Sequence, residues 1–152
     1  MIISTSGKTI LLGASLLASI LSFGASAQSL HAKIGAYPGT KTTVTGAVTV
    51  NFDQQDLTVK YNLKGLNPVR NGGLHIHVGT SCKNADKVGG HYFAPKSMGD
   101  YWKSGQWVSD TKGRAKGSFR LVSGLAYKAN IGHAIVVHNA SGARIGCGIL
   151  EK

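Results

Sequence analysis

The sequence predicts an all-β domain, built as a sandwich or barrel of antiparallel strands. Apolar or small residues alternate with polar ones in four separate segments, which is the period of a half-buried strand. Glycine is abundant, with 21 residues in the chain, so tight turns should be frequent. After residue 27 we find neither helical periodicity nor an internal repeat. Many short strands joined by glycine-rich turns are typical of sandwiches and barrels.

The four alternating segments predict three successive strands and one later strand. Asp53-Gln54-Gln55 predicts a hairpin between the second and third segments. Asp110-Thr111-Lys112-Gly113 predicts another turn before the fourth, because glycine can adopt a positive φ. The inward positions are Leu30, Ala32, Ile34 and Ala36; Val44, Gly46, Val48, Val50 and Phe52; Leu57, Val59, Tyr61 and Leu63; and Ala115, Gly117, Phe119 and Leu121.

Residues 1–27 predict a secretory signal peptide. Lys8 precedes an apolar run over residues 10–23, and Ala25-Ser26-Ala27 supplies a small-x-small cleavage signal. An uncleaved membrane anchor is the alternative, but the run is short for a span and serines interrupt it. We therefore expect cleavage near Ala27, one secreted domain over residues 28–152 (periplasmic if the source is bacterial), and no stable membrane insertion.

The chain is strongly basic, with 17 Lys and Arg against 6 Asp and Glu and a net charge of +11. Lys8 belongs to the predicted signal peptide, so residues 28–152 carry +10. The basic residues are scattered and lack the interleaved aromatic residues of nucleic-acid grooves, so we expect no nucleic-acid partner. Two interpretations stay open: weak adherence to polyanions, and attraction of a small anionic substrate.

Two histidines at strand spacing predict a metal site. His75 and His77 would point to the same face of an extended strand. Leu74, Ile76 and Val78 would then point to the opposite face, toward the core. Since neutral imidazole is the commonest metal ligand in proteins, a pair held this way is a candidate for metal binding.

Two further histidines complete the candidate ligand set. His91 follows a Gly-Gly pair, and His138 follows the apolar run Ala134-Ile135-Val136-Val137. Four imidazole ligands suit copper, zinc or nickel, and a planar arrangement favours Cu(II). His31 and His133 lack such surroundings, and we expect neither to be a ligand.

These motifs, in their order, resemble the copper/zinc superoxide dismutase family over most of the chain after residue 27. The resemblance implies a flattened, eight-stranded antiparallel Greek-key barrel with its metal site outside the barrel, between loops. The segments that carry it are Gly73-Leu74-His75-Ile76-His77, Cys82, Gly89-Gly90-His91-Tyr92-Phe93, Val136-Val137-His138 and Gly142-Ala143-Arg144-Ile145-Gly146-Cys147-Gly148.

The resemblance also implies individual roles. Copper would be bound by His75, His77, His91 and His138, with Arg144 beside it to dock the anion. His91 would release the metal on reduction and take up a proton. Two cysteines in a secreted protein already predict one disulfide, and the family pairs the counterparts of Cys82 and Cys147.

The chain departs from the family pattern where zinc would bind. No histidine lies between His91 and His133, and Ser97 stands where a zinc histidine would be expected. Asp100 resembles the zinc aspartate, but with a shared His91 it cannot complete a four-coordinate site. Only five residues, 139–143, separate His138 from Arg144, where the family has a long charged loop.

The chain therefore resembles the copper-only branch of the family, with zinc absent. Without zinc, another group must orient His91, and Asp100 is the candidate. The alternative is that Asp100 only caps a turn. Tyr92, Tyr101, Trp102 and Trp107 are expected to pack over the shortened zinc loop rather than to take part in chemistry. The sequon at Asn139 is expected to be unglycosylated, because a glycan would crowd the site.

The resemblance implies a secreted, copper-dependent dismutase that converts superoxide to dioxygen and hydrogen peroxide. The shortened loops favour a monomer. Two other functions compete with this one. The first is a copper-binding or copper-buffering protein with little turnover, and the second is a structural interaction module on the same barrel, since a fold does not fix a function.

Overall fold

Eight antiparallel strands form the domain, so the predicted all-β class is confirmed. The computed structural model describes residues 28–152, and the predicted signal peptide lies outside them. The strands are β1 (Gln28–Ala36), β2 (Thr45–Asp53), β3 (Asp56–Lys64), β4 (Asn71–His77), β5 (Gln106–Val108), β6 (Ala115–Val122), β7 (Ala134–His138) and β8 (Arg144–Ile149). Within this range, no helix is long and apolar enough to cross a membrane.

The strands lie in the order β5-β4-β7-β8-β1-β2-β3-β6 and make a nearly closed barrel, because the terminal strands β5 and β6 contact each other. Strands β4, β5 and β6 follow one another, and β7 returns beside β4. This order is a Greek key. Between residues 28 and 152, helical structure is limited to single turns at Ala85–Lys87, Lys96–Met98, Tyr101–Ser104 and Tyr127–Asn130.

The alternation of the four segments places their apolar side chains inside the barrel. The register aligns Leu30 with Val50, Val50 with Val59, and Val59 with Phe119 across four strands. The first three of these residues are fully buried. Because side chains alternate between the two faces of a strand, the polar residues between them face outward.

Both predicted turns are present. Gln54 and Gln55 join β2 to β3, and Gln54 adopts a φ of 56°. Asp110 caps the second turn by accepting hydrogen bonds from the backbone N–H groups of Lys112 and Arg114.

Two inward positions were predicted wrongly. Val78 is 45 % exposed, because β4 ends at His77 and the Val78 N–H donates to the Gly90 carbonyl in the following loop. Ala36 is also exposed, and Tyr37 is buried in its place. Val78 lies just past the end of β4, and Ala36 is the last residue of β1, so at both strand ends the two-residue period no longer holds.

Val69 is the clearest point of backbone strain. Its φ is 52°, a left-handed conformation that is unfavourable for a β-branched residue, and its side chain is 61 % exposed. Val69→Asn should raise the free energy of unfolding by about 1 kcal/mol, measured by urea denaturation. Val122→Asn is the control, since Val122 is exposed without a positive φ. Equal effects in the two variants would contradict this explanation.

Candidate metal centre

β4 and β7 bring three of the candidate ligands to one place. His75 and His77 point to the outer side of β4, opposite the core residues Leu74 and Ile76. Strand β7 pairs with β4, and Val137 lies opposite Leu74. His138 is the next residue of β7, and it therefore lies in the same region as His75 and His77. His91 lies on the loop after β4 and is paired with His77 by an isolated antiparallel β-bridge.

The loop that follows β4 covers this outer face. A second apolar cluster lies beneath it, formed by Tyr37, Val88, Ala134, Val136 and Cys147. As a result, every residue of β7 is buried, although only alternate ones face the barrel interior. His77 is fully buried, and His75 and His138 are nearly so.

The four imidazoles form a tight cluster. Each offers one nitrogen, and these nitrogens all lie within 4.8 Å of one another. His75 Nδ1 lies 2.9 Å from His91 Nε2, and His77 Nε2 lies 3.1 Å from His138 Nε2.

Oxygen acceptors fix the tautomers of three of these rings. His77 Nδ1 donates to the Gly89 carbonyl at 2.8 Å, His138 Nδ1 donates to the Gly142 carbonyl at 2.9 Å, and His91 Nδ1 lies 2.6 Å from Asp100 Oδ2. Carbonyl and carboxylate oxygens accept, so Nδ1 carries the proton and Nε2 presents a lone pair. The facing lone pairs of His77 and His138 have no proton between them, and a cation would satisfy both.

Burial keeps the strand histidines neutral. Burial, together with the charges of neighbouring imidazoles, lowers the pKa of His75 and of His77 to about 3. Burial also lowers the pKa of His138. Neutral imidazoles are the form that binds a metal. Four imidazole nitrogen donors converging on one point therefore fit copper, whose Cu(II) state favours nitrogen ligands.

Asp100 makes both contacts that the sequence left as alternatives. Its Oδ1 caps the turn Tyr101–Ser104 by accepting from the Trp102 N–H at 3.0 Å, while its Oδ2 accepts from His91 Nδ1. Burial raises the pKa of Asp100, but the hydrogen bonds from His91 and Trp102 outweigh it, and the net shift is downward. The carboxylate is therefore ionised at neutral pH.

Arg144 lies beside the cluster and supports it. Its Nη2 donates to the Gly89 carbonyl at 2.6 Å, and this oxygen also accepts from His77. Its Nη1 donates to the Tyr37 hydroxyl at 2.9 Å. The half-buried guanidinium thus shares an acceptor with a candidate ligand, in addition to carrying a positive charge near the site.

A cavity of about 300 Å³ opens onto the cluster and reaches His75, His91 and His138 but not His77. Of the residues within 28–152 that line this cavity, Lys103 is the one with a basic Lys or Arg side chain. No motif in the sequence singles out Lys103. Its position three residues after Asp100 was the available signal, but nothing in the sequence showed that the turn faces the cavity.

The two tryptophans support the site from the core side. Trp102 and Trp107 are buried, and their indole N–H groups donate to the carbonyls of Tyr92 (2.7 Å) and His138 (2.9 Å). Gly73 is also required here, because a Cβ at this position would overlap the His75 ring.

The remaining histidines lie outside the cluster. His31 is exposed on β1, within 3.2 Å of the Thr49 hydroxyl. The His133 ring stacks on Tyr92 at 4.1 Å, and its Nδ1 lies 3.2 Å from the His77 carbonyl. Neither ring is placed to offer a nitrogen to the four-histidine group.

A disulfide joins Cys82 to Cys147. It connects the loop after β4 to strand β8, in which Cys147 is buried. The same loop carries Gly89, whose carbonyl accepts from His77 and Arg144. The crosslink therefore anchors the segment that holds these two side chains in place.

Comparison with known proteins agrees with this geometry. The model of the copper/zinc superoxide dismutase family (SODC) matches residues 44–150, which is more than half of the chain and includes all four clustered histidines. A search of the curated proteins finds no match. On the family match, together with the eight-stranded barrel and the four-histidine cluster, the chain belongs to the copper/zinc superoxide dismutase family.

Proposed function

We propose that this protein is a secreted superoxide dismutase that uses copper and no zinc. The observation that carries the proposal is the convergence of four imidazole nitrogens, with three of the rings fixed by oxygen acceptors. Copper held there would supply one-electron chemistry, oxidising one superoxide to dioxygen and reducing a second, with two protons, to hydrogen peroxide.

Three of the four histidines lie on strands and one lies on a loop, and on this basis we assign them different roles. His75, His77 and His138 are buried on strands β4 and β7 and would hold the metal in both oxidation states. His91 lies on a loop and is tied to Asp100, which makes it the ligand best able to release the metal and carry a proton on Nε2.

The donor set supports the absence of zinc. Among residues 28–152, no group of three or more His, Cys, Asp or Glu side chains is arranged to hold a metal apart from the four histidines, and His91 with Asp100 alone does not complete a four-coordinate zinc site. His91 Nδ1 instead donates to Asp100 Oδ2 at 2.6 Å. Ligand imidazoles usually donate their other N–H to an acceptor of this kind. The signal-peptide pattern and the disulfide support secretion, since oxidising compartments favour disulfides.

One experiment separates the proposal from its rivals. The mature protein is incubated with equimolar copper and zinc, and the bound metals and the rate of superoxide decay are measured. One copper, no zinc and rapid decay support the dismutase. Bound copper with slow decay would identify a copper-buffering protein, and no bound copper would identify a structural module.

Two cations are expected to attract the substrate, Lys103 from the cavity wall and Arg144 from beside the ligands. Lys103→Gln and Arg144→Ala should each lower turnover about 3-fold at low ionic strength, because a positive field raises the on-rate of an anion. The difference from wild type should shrink as salt is added.

Lys60→Gln is the matched control, because Lys60 is exposed on β3, in a different part of the barrel. Its turnover should equal that of wild type at equal copper content. Lys103 would have no role in attraction if its variant behaved like the Lys60 variant, or if its effect were independent of salt.

A further inference from the structure

Lysines that are scattered in the sequence form one patch on the structure. We propose that this patch, the cationic face, binds an anionic polysaccharide. It comprises Lys33 on β1, Lys60 and Lys64 on β3, and Lys116 on β6. All four side chains are exposed, and they lie on the outer side of the β1-β2-β3-β6 sheet, opposite the barrel core.

The strand register determines how these lysines are spaced. Lys33, Ala47, Asn62 and Lys116 form one row across the four strands. Lys60 and Lys64 lie two residues to either side of Asn62, so each is a diagonal neighbour of Lys116 at about 7–8 Å. Three lysines therefore follow one another in a zigzag along β3 and β6.

The charges of the cationic face are not compensated within the domain. Of the ion pairs formed among residues 28–152, none includes these four lysines. Asp53 and Asp56 lie at the far end of the β2–β3 hairpin, where Asp56 pairs with Arg120, and Glu151 lies at the β1 margin opposite His31. Neighbouring like charges destabilise a sheet, and an anionic chain lying over the lysines would remove this repulsion.

The other side chains of the face indicate the kind of polyanion. Thr45, Thr49, Asn62 and Ser118 lie between the lysines and offer hydroxyl and amide groups. A membrane-binding surface would need large apolar side chains inserted among its lysines. Single-stranded nucleic acid would need aromatic residues on which bases stack. A surface of cations, hydroxyls and amides instead suits a sulfated or carboxylated sugar chain.

The test measures binding to immobilised heparin, a sulfated polysaccharide, at physiological ionic strength. Lys60→Gln, Lys64→Gln and Lys116→Gln are combined in one variant. An exposed ion pair changes affinity about two- to threefold, so the triple variant should bind about 10-fold more weakly. The control combines Lys83→Gln, Lys87→Gln and Lys128→Gln, which remove the same charge from exposed positions outside the face. It should stay within about 2-fold of wild type.

Circular dichroism and copper content should match among wild type and both variants, since none of the six lysines belongs to the metal centre. No binding by wild type, or an equal loss in the two triple variants, would overturn the proposal, because binding would then be absent or follow net charge alone. Tighter binding to phosphatidylserine vesicles or to duplex DNA than to heparin would overturn the assignment to a polysaccharide.

Discussion

Asp100→Asn should weaken copper retention about 10-fold or more, which is the usual cost of losing a group that orients a metal ligand. Asparagine can still cap the turn through its side-chain oxygen, so the contact with the Trp102 N–H survives. The variant loses the negative charge that accepts from His91 Nδ1 at 2.6 Å. Competition with a copper chelator measures the affinity, and the decay of superoxide as a function of pH measures the proton supply.

We expect the rate of this variant to begin falling at a lower pH than that of wild type, because the imidazole becomes a poorer proton acceptor without its carboxylate partner. Asp110→Asn is the matched control. Asp110 also caps a turn through its carboxylate, but the turn lies between β5 and β6 and does not contact the histidines. Asp100 would be only a capping residue if both variants retained copper like wild type and their pH profiles coincided.

Removing the disulfide should have the largest effect on stability. Cys82 and Cys147 are separated by 65 residues, and a closed loop of this length stabilises the folded state by about 4 kcal/mol in the chain-entropy description. Cys82→Ala combined with Cys147→Ala should therefore lower the free energy of unfolding of the copper-free protein by about that amount, measured by urea denaturation.

Copper affinity should fall in the same variant, because the loop that carries Gly89 is released from β8 and His77 loses a fixed acceptor. Reducing the disulfide of the copper-free wild type provides an independent comparison and should give the same loss of stability. A change below about 1 kcal/mol in both measurements would contradict a stabilising role for the crosslink.

The alternation of apolar residues was sufficient to predict the strands that lie fully within a sheet. Leu57, Val59 and Leu63 are buried as expected. The same pattern failed at Val78 and Ala36, where strands end, because the spacing of apolar residues does not show where hydrogen bonding between strands stops.

The histidine cluster could be anticipated because its members sit in recognisable local motifs. The surroundings of the site were harder to predict, because they depend on distant parts of the chain. Lys103 reaches the cavity only through the path of the loop after β4. Lys60 and Lys116 become neighbours only through the register of β3 with β6. In the sequence they looked like scattered surface charges, and strand pairing alone brings them together.

The role of Asp100 was also only partly predictable from the sequence. Capping a turn and orienting His91 looked like competing roles, but the two carboxylate oxygens make one contact each. A sequence does not reveal such a division, since it depends on the angle at which the turn Tyr101–Ser104 meets the His91 ring.

One copper on the four histidines should carry out dismutation without zinc. The metal-free mature protein is titrated with copper, and the rate of superoxide decay is measured at each step, with and without zinc present. We expect a rate that rises in proportion to bound copper, reaches its plateau at one copper per chain, and does not change with zinc. A plateau rate no faster than that of the metal-free protein, or a rate that rises only when zinc is also bound, would contradict this expectation.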